Sequence, residues 1–242
     1  MEEMGFTHHI SRKFNAELED VRNKVLSMGG MVERQLADAL AALVEGDSER
    51  GESVVTGDYK INALEVAIDE ECSRILARRQ PAASDLRLLV AVIKTITDLE
   101  RMGDEAERIG RMAVQLAGGG GWSGNNATLP EIRHLGNDVR EMLHQALDAF
   151  ARTDLELAAK VVEKDRQADK EYEAIMRQLI TFMMEDPRSI PRSLGVMWAA
   201  RALERIGDRA CNICEYVIYF VKGRDVRHTS LEQVQREARE SK

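Results

Sequence analysis

The sequence predicts an all-α protein made of two tandem, pseudo-symmetric three-helix bundles, and three observations predict it. Aromatic residues are only 5% of the chain and Pro occurs four times in 242 residues, while Ala, Leu, Glu, Arg, Met and Lys abound, a helix-forming composition. Apolar residues recur at three-to-four spacing over long stretches. The segment Leu99-Glu-Arg-Met-Gly-Asp104 returns as Leu203-Glu-Arg-Ile-Gly-Asp208, 104 residues later.

The first predicted helix runs from Phe14 through Leu18, Val21, Val25, Met28 and Val32, and on through Leu36, Leu40 and Leu43. Gly29-Gly30 in its middle is expected to bend it. Glu45-Gly-Asp-Ser48 supplies the stop and the next cap. One second helix follows with Ile61, Leu64, Ile68, Cys72 and Ile75, ending before Arg79-Gln-Pro81 because the residue preceding proline avoids the helical region. Ser84 is the expected N-cap of a third helix that buries Leu89, Ile93, Ile96, Leu99, Met102, Ala106 and Ile109. The glycine run from Gly118 reads as a linker. After Pro130 the order repeats: a helix with Ile132, Val139, Leu143 and Phe150, one from Leu155 to Met184, and a long last helix after Pro187 and Pro191. A fainter repeat pairs Val54-x3-Asp58 with Val161-x3-Asp165. The expected divisions are an N-terminal extension (1–11), a first bundle (12–117), a Gly-rich linker (118–127), a second bundle (128–224) and a polar, frayed C-terminal tail (225–242).

The 44% hydrophobic content is enough to fill a packed core. The net charge of −8 arises from 42 acidic and 34 basic residues that alternate, so no basic stripe tracks a phosphate backbone and nucleic acid is not an expected partner. No apolar stretch reaches the ~18 residues of a membrane span, and no signal-peptide pattern opens the chain, so a cytoplasmic location is expected. The odd count of cysteines, Cys72, Cys211 and Cys214, all within helical patterns, points to reduced thiols.

Residues four apart share a helix face, so Glu100 with Asp104, and Glu204 with Asp208, each set two carboxylates side by side. The second helices repeat the arrangement: Asp165 precedes Asp169, and Asp58 precedes Asn62. Antiparallel packing would bring the pairs together on one groove per half: Asp165, Asp169, Glu204 and Asp208 in one, Asp58, Asn62, Glu100 and Asp104 in the other. Oxygen ligands without histidine or thiol suit hard cations such as Mg²⁺, Ca²⁺, Mn²⁺ or iron. The alternative is a solvated face on which Arg101 and Arg205 neutralise Asp104 and Asp208 three residues on. Gly103 and Gly207 each cost about 1 kcal/mol relative to Ala in a helix interior, which suggests a close backbone approach at both motifs.

Other motifs carry less. Glu131-x-x-His134 and Glu141-x-x-His144 each resemble half of a di-iron site, but lie about 15 Å apart on one helix. Cys211-x-x-Cys214 lacks the strand context of a redox motif and reads as small apolar packing. Met176, Met183, Met184, Tyr216, Tyr219 and Phe220 read as core or interface at helical spacing. The sequence has no phosphate-cradling glycine loop and no nucleophile with a paired base. A phosphotransfer bundle using His144 is a third possible class beside an adaptor and a metalloenzyme.

Ordered blocks along nearly the whole chain resemble the PhoU family of phosphate-uptake regulators. They are Phe14-Asn-Ala-Glu-Leu18, Met28-Gly-Gly-Met-Val-Glu33, Arg79-Gln-Pro-x-x-Ser-Asp-Leu-Arg87, Met183-Met-Glu-Asp186, Glu204-Arg-Ile-Gly-Asp-Arg209, Asn212-Ile-Cys-Glu215 and Val221-Lys-Gly223. The resemblance implies two three-helix bundles of spectrin-like hairpins, each with a Glu/Asp-x-x-x-Asp motif that in some family members holds iron, zinc or another divalent ion such as Mg²⁺ or Mn²⁺. Those motifs fall on Glu100 with Asp104 and Glu204 with Asp208, while Asn62 replaces an expected carboxylate. It also implies a homodimeric, non-enzymatic negative regulator of the phosphate-starvation response. Such a protein modulates phosphate uptake, links the ATPase of the phosphate ABC transporter to the sensor histidine kinase, and reaches the inner membrane only through those partners. A carboxylate-bridged metalloenzyme on a helical bundle is the alternative.

Overall fold

The structure, a computed structural model, describes residues 3–81, 83–118, 129–227, 229 and 231–239. They form α1 (Glu3–Glu45), α2 (Ser48–Gly57), α3 (Tyr59–Arg79), α4 (Ala83–Gly118), α5 (Leu129–Arg152), α6 (Leu155–Glu185), α7 (Ile190–Lys222) and α8 (Leu231–Arg239), with a 3₁₀ turn at Pro187–Ser189. Local chemistry explains several of the ends. Gly46 at φ 72° closes α1, and the Asp47 carboxylate caps α2 by accepting from the Arg50 N–H at 2.9 Å. The Asp154 carboxylate caps α6 in the same way through the Leu157 N–H at 2.9 Å. Gly223, at φ 74°, ends α7 by donating its N–H to the Tyr219 carbonyl at 2.7 Å.

Several expectations are corrected. The second predicted helix is two helices, because the chain breaks at Asp58 between α2 and α3. Ser84 lies inside the first turn of α4, which starts at Ala83. α1 begins at Glu3 and so covers most of the expected N-terminal extension. The expected frayed tail contains α8, which lies against α6 with Val226 and Val234 buried and Arg224 paired to Glu237 at 2.6 Å. The glycine linker lies, from residue 119, outside the described residues.

α1, α2–α3 and α4 form one bundle, and α5, α6 and α7 the other. One continuous core joins them, from Val25, Leu36, Leu99 and Ile109 to Val139, Phe150, Leu203 and Ile213. Burial of these stripes supplies the main stabilisation, at roughly 1.5–3 kcal/mol for each fully buried large side chain. The bundles meet along α4 against α7 and α1 against α5, both antiparallel. At the second seam Gly29 receives Leu147 and Gly136 receives Leu40, reciprocal sockets in which an added Cβ would lie 2.5 Å and 2.6 Å from the leucine. Gly29 therefore serves close packing within a continuous α1. All three cysteines are buried free thiols, and among the described residues no helix is long and apolar enough to cross a membrane.

Candidate metal centre

In the second bundle α6 and α7 bring together the carboxylates that their spacing places on single helix faces. One oxygen each from Asp165, Asp169 and Asp208 lies within 4.8 Å of the others. Asp165 is half-buried, and burial, then Asp169 and Asp208, pushes its carboxyl up to about 6. Asp208 is raised by burial and by Asp169, against Arg201, Arg209 and Arg205. Glu204 is raised by burial and by Asp208; its Oε1 accepts from Arg201 at 2.6 Å, and its Oε2 is buried without a hydrogen bond. Converging like charges, of which Asp165 is the most buried, repel one another, and a cation relieves that cost. The oxygens of Asp165, Asp169 and Asp208, with Glu204 beside them, fit a hard divalent ion.

Arg205 does not take the role that sequence spacing offers it. Arg205 reaches across the bundle seam to buried Glu105 at 3.0 Å, where Arg108 also pairs at 2.9 Å. Arg209 reaches Asp98 at 3.2 Å, and the same buried carboxylate accepts from Tyr216 at 2.8 Å. Arg205 is thus drawn into a seam network rather than onto Asp208.

A thiol also stands at the groove, which sequence reading did not anticipate. Cys211, one turn beyond Asp208, is buried; its Sγ–H donates to the Val161 carbonyl at 4.0 Å, and the Asp165 carboxylate is its main charged neighbour. Burial and the neighbouring carboxylate push the thiol well above its ordinary range. The spacing Asp208-x-x-Cys211 is a signal for it, read instead as packing.

The first bundle differs. Asp58 is buried and satisfied: Oδ1 accepts from Gln35 Nε2 at 2.8 Å and Oδ2 from Asn62 Nδ2 at 3.1 Å. Asn62, which stands where a carboxylate is expected, therefore acts as a donor. Gln35 comes from α1, which no helix-local pattern links to Asp58. Glu100 is raised by burial and then Asp104, and Asp104 by burial and then Asp58. Among the described residues Asp58, Glu100 and Asp104 do not form a close trio like that of the second bundle. The close approach at Gly103 is present, since an added Cβ would lie 3.1 Å from Asp58 Oδ1 and 3.3 Å from Gln35 Oε1. Gly207 is roomier, with its nearest neighbour, Met142, at 3.6 Å.

His134 and His144 both lie on α5, as their spacing requires. His144 Nδ1 pairs with Glu33 Oε1 at 2.9 Å across the α1–α5 seam.

Comparison with known proteins agrees with this architecture. The family model described as the PhoU domain matches residues 25–113 and again 132–217, one match per bundle. The phosphate-specific transport system accessory protein PhoU homolog of Pseudomonas aeruginosa is 53% identical over 96% of this chain and 95% of its own length. The accessory protein PhoU of Escherichia coli is 49% identical over 94% of this chain and 93% of its own. The crystal structure of PhoU from P. aeruginosa superposes with a TM-score of 0.84 over 87% of this chain and all of that one, at 53% identity. That of the phosphate transport system regulatory protein PhoU from Streptococcus pneumoniae gives 0.79 over 88% and 99%, at 32% identity. With both bundles matched and relatives aligned over nearly the full length, the chain belongs to the PhoU family.

Proposed function

We propose that this protein is a non-enzymatic accessory of phosphate transport that restrains the phosphate-starvation response. It acts as an adaptor between the ATPase of the phosphate ABC transporter and the sensor histidine kinase, and limits phosphate import. The observation that carries the reading is the near full-length match to relatives named as accessory proteins of the phosphate-specific transport system. An exposed apolar rim supports it: Leu194 and Trp198 of α7, with Trp198 67% exposed, border a groove completed by Met112 and Leu116 of α4. Faces of this kind mark protein contact sites. The working form is a homodimer in the cytoplasm that meets the inner membrane through its partners. The Asp165, Asp169, Glu204 and Asp208 groove binds a divalent or iron ion, Mg²⁺, Mn²⁺, Fe or Zn²⁺, as a structural or sensing element. The first-bundle set of Asp58, Glu100 and Asp104 is the weaker site, because Gln35 and Asn62 already satisfy Asp58.

Deleting the gene is expected to derepress phosphate-regulated genes in phosphate-rich medium, scored by reporter expression. Unchanged expression would overturn the reading. A carboxylate-bridged metalloenzyme is the second reading, favoured by the convergence of Asp165, Asp169 and Asp208. Stoichiometric metal with consumption of oxygen or phosphoester would establish it, and metal without turnover would leave the adaptor.

A further inference from the structure

We infer that His134, Asp138 and Glu171 form a second metal site, on the seam between α5 and α6, suited to a borderline cation such as Zn²⁺. One ligand atom from each of the three lies within 4.8 Å of the other two. His134 and Asp138 are four residues apart on α5 and share a face, while Glu171 reaches them from α6. His134 Nε2 stands 3.5 Å from Glu171 Oε1 and 3.9 Å from Asp138 Oδ2. Tetrahedral zinc with bonds of about 2.0–2.1 Å separates its ligand atoms by roughly 3.4 Å. Both His134 separations lie within about half an ångström of that spacing, and His134 is exposed on the surface and able to turn.

A second observation points the same way. Glu171 Oε2 is buried and makes no hydrogen bond, although Oε1 accepts from Gln167 at 2.8 Å. A desolvated carboxylate oxygen without a donor is a cost that a cation held by both Glu171 oxygens removes. A pocket lies against this group, with Pro130, Ala174 and Ile175 as its apolar wall. Three protein ligands leave the fourth zinc position to water. The imidazole distinguishes this site from the oxygen-dominated groove, since nitrogen favours zinc over Mg²⁺ or Ca²⁺. Asp169 and Glu171 lie about 200° apart around α6, so the two sites occupy different faces. The inference is independent of the adaptor reading.

The test is Zn²⁺ titration of the chelator-stripped full chain by calorimetry, with native mass spectrometry for stoichiometry, on the wild type, His134→Gln, Glu171→Gln and the groove variant Asp165→Asn/Asp208→Asn. Both single changes lie at the surface or remove only a charge, and circular dichroism checks the fold. The expected result is one zinc equivalent that His134→Gln loses and that the groove variant retains. Loss of a direct ligand should weaken binding at least as much as loss of an outer-shell partner, so Glu171→Gln should bind on the order of 10-fold or more weakly. Unchanged stoichiometry and affinity in His134→Gln would overturn the proposal, as would loss of all zinc binding in the groove variant. In either case His134 and Glu171 would be an ion pair alone.

Discussion

Replacing Asp165 by Asn should stabilise the metal-free protein at neutral pH while removing a metal ligand. The Asp165 carboxyl is pushed up to about 6 by burial first and then by Asp169 and Asp208. Against an unfolded value of about 3.9, ionising it in the folded protein costs about two powers of ten, or about 3 kcal/mol. The groove opens to solvent at Asp169 and Asp208, and discounting for that screening leaves about 1–1.5 kcal/mol. The sign follows from proton binding. Between pH 4 and 6 the folded chain holds a proton that the unfolded chain has released, so stability falls as pH rises through this window and the full cost is present above it. Asn carries no charge and is nearly isosteric with Asp. Urea unfolding with a chelator present should therefore show the variant about 1–1.5 kcal/mol more stable at pH 7.5, with the difference fading by pH 4. With a saturating divalent ion the order should reverse, because only the wild type gains binding energy. Equal or lower stability of the metal-free variant at pH 7.5 would refute the argument that these carboxylates are strained together.

Two further outcomes test the packing between the bundles. Gly29→Ala sets a methyl 2.5 Å from Leu147 Cδ2 inside the core and should cost about 1–3 kcal/mol in urea unfolding. Gly207→Ala has 3.6 Å of room and should be neutral or stabilising by up to about 1 kcal/mol, so equal losses at both would sink the socket account. Asp98→Ala strips Arg209 and Tyr216 of a shared buried acceptor. It should cost about 3 kcal/mol by leaving a charge unpaired, whereas a loss under 1 kcal/mol would mean that the seam network is incidental.

Much of the helical content is legible in the sequence because the apolar stripe of each helix is a local, periodic property. The caps at Asp47 and Asp154 are equally local, since each side chain serves the N–H three residues on. The break at Asp58 is only partly local: its carboxylate accepts from Asn62 one turn on, but also from Gln35, 23 residues earlier on another helix. α8 escaped notice because its burial depends on Val226 and Val234, isolated in a polar segment, finding a place against the second bundle.

For the site, helix spacing alone determined that Glu204 pairs with Asp208 and Asp165 with Asp169, because the 3.6-residue period sets which side chains share a face. The sequence also showed that the halves are unequal, through Asn62. Only the tertiary structure decided that Asp165, Asp169 and Asp208 converge, that Cys211 joins them, and that Arg205 leaves Asp208 for Glu105. The physical reason is that an arginine within reach of two carboxylates pairs more strongly with the desolvated one, where the field is least screened. Which carboxylate is buried depends on how α4 meets α7, and a single helix carries no record of that.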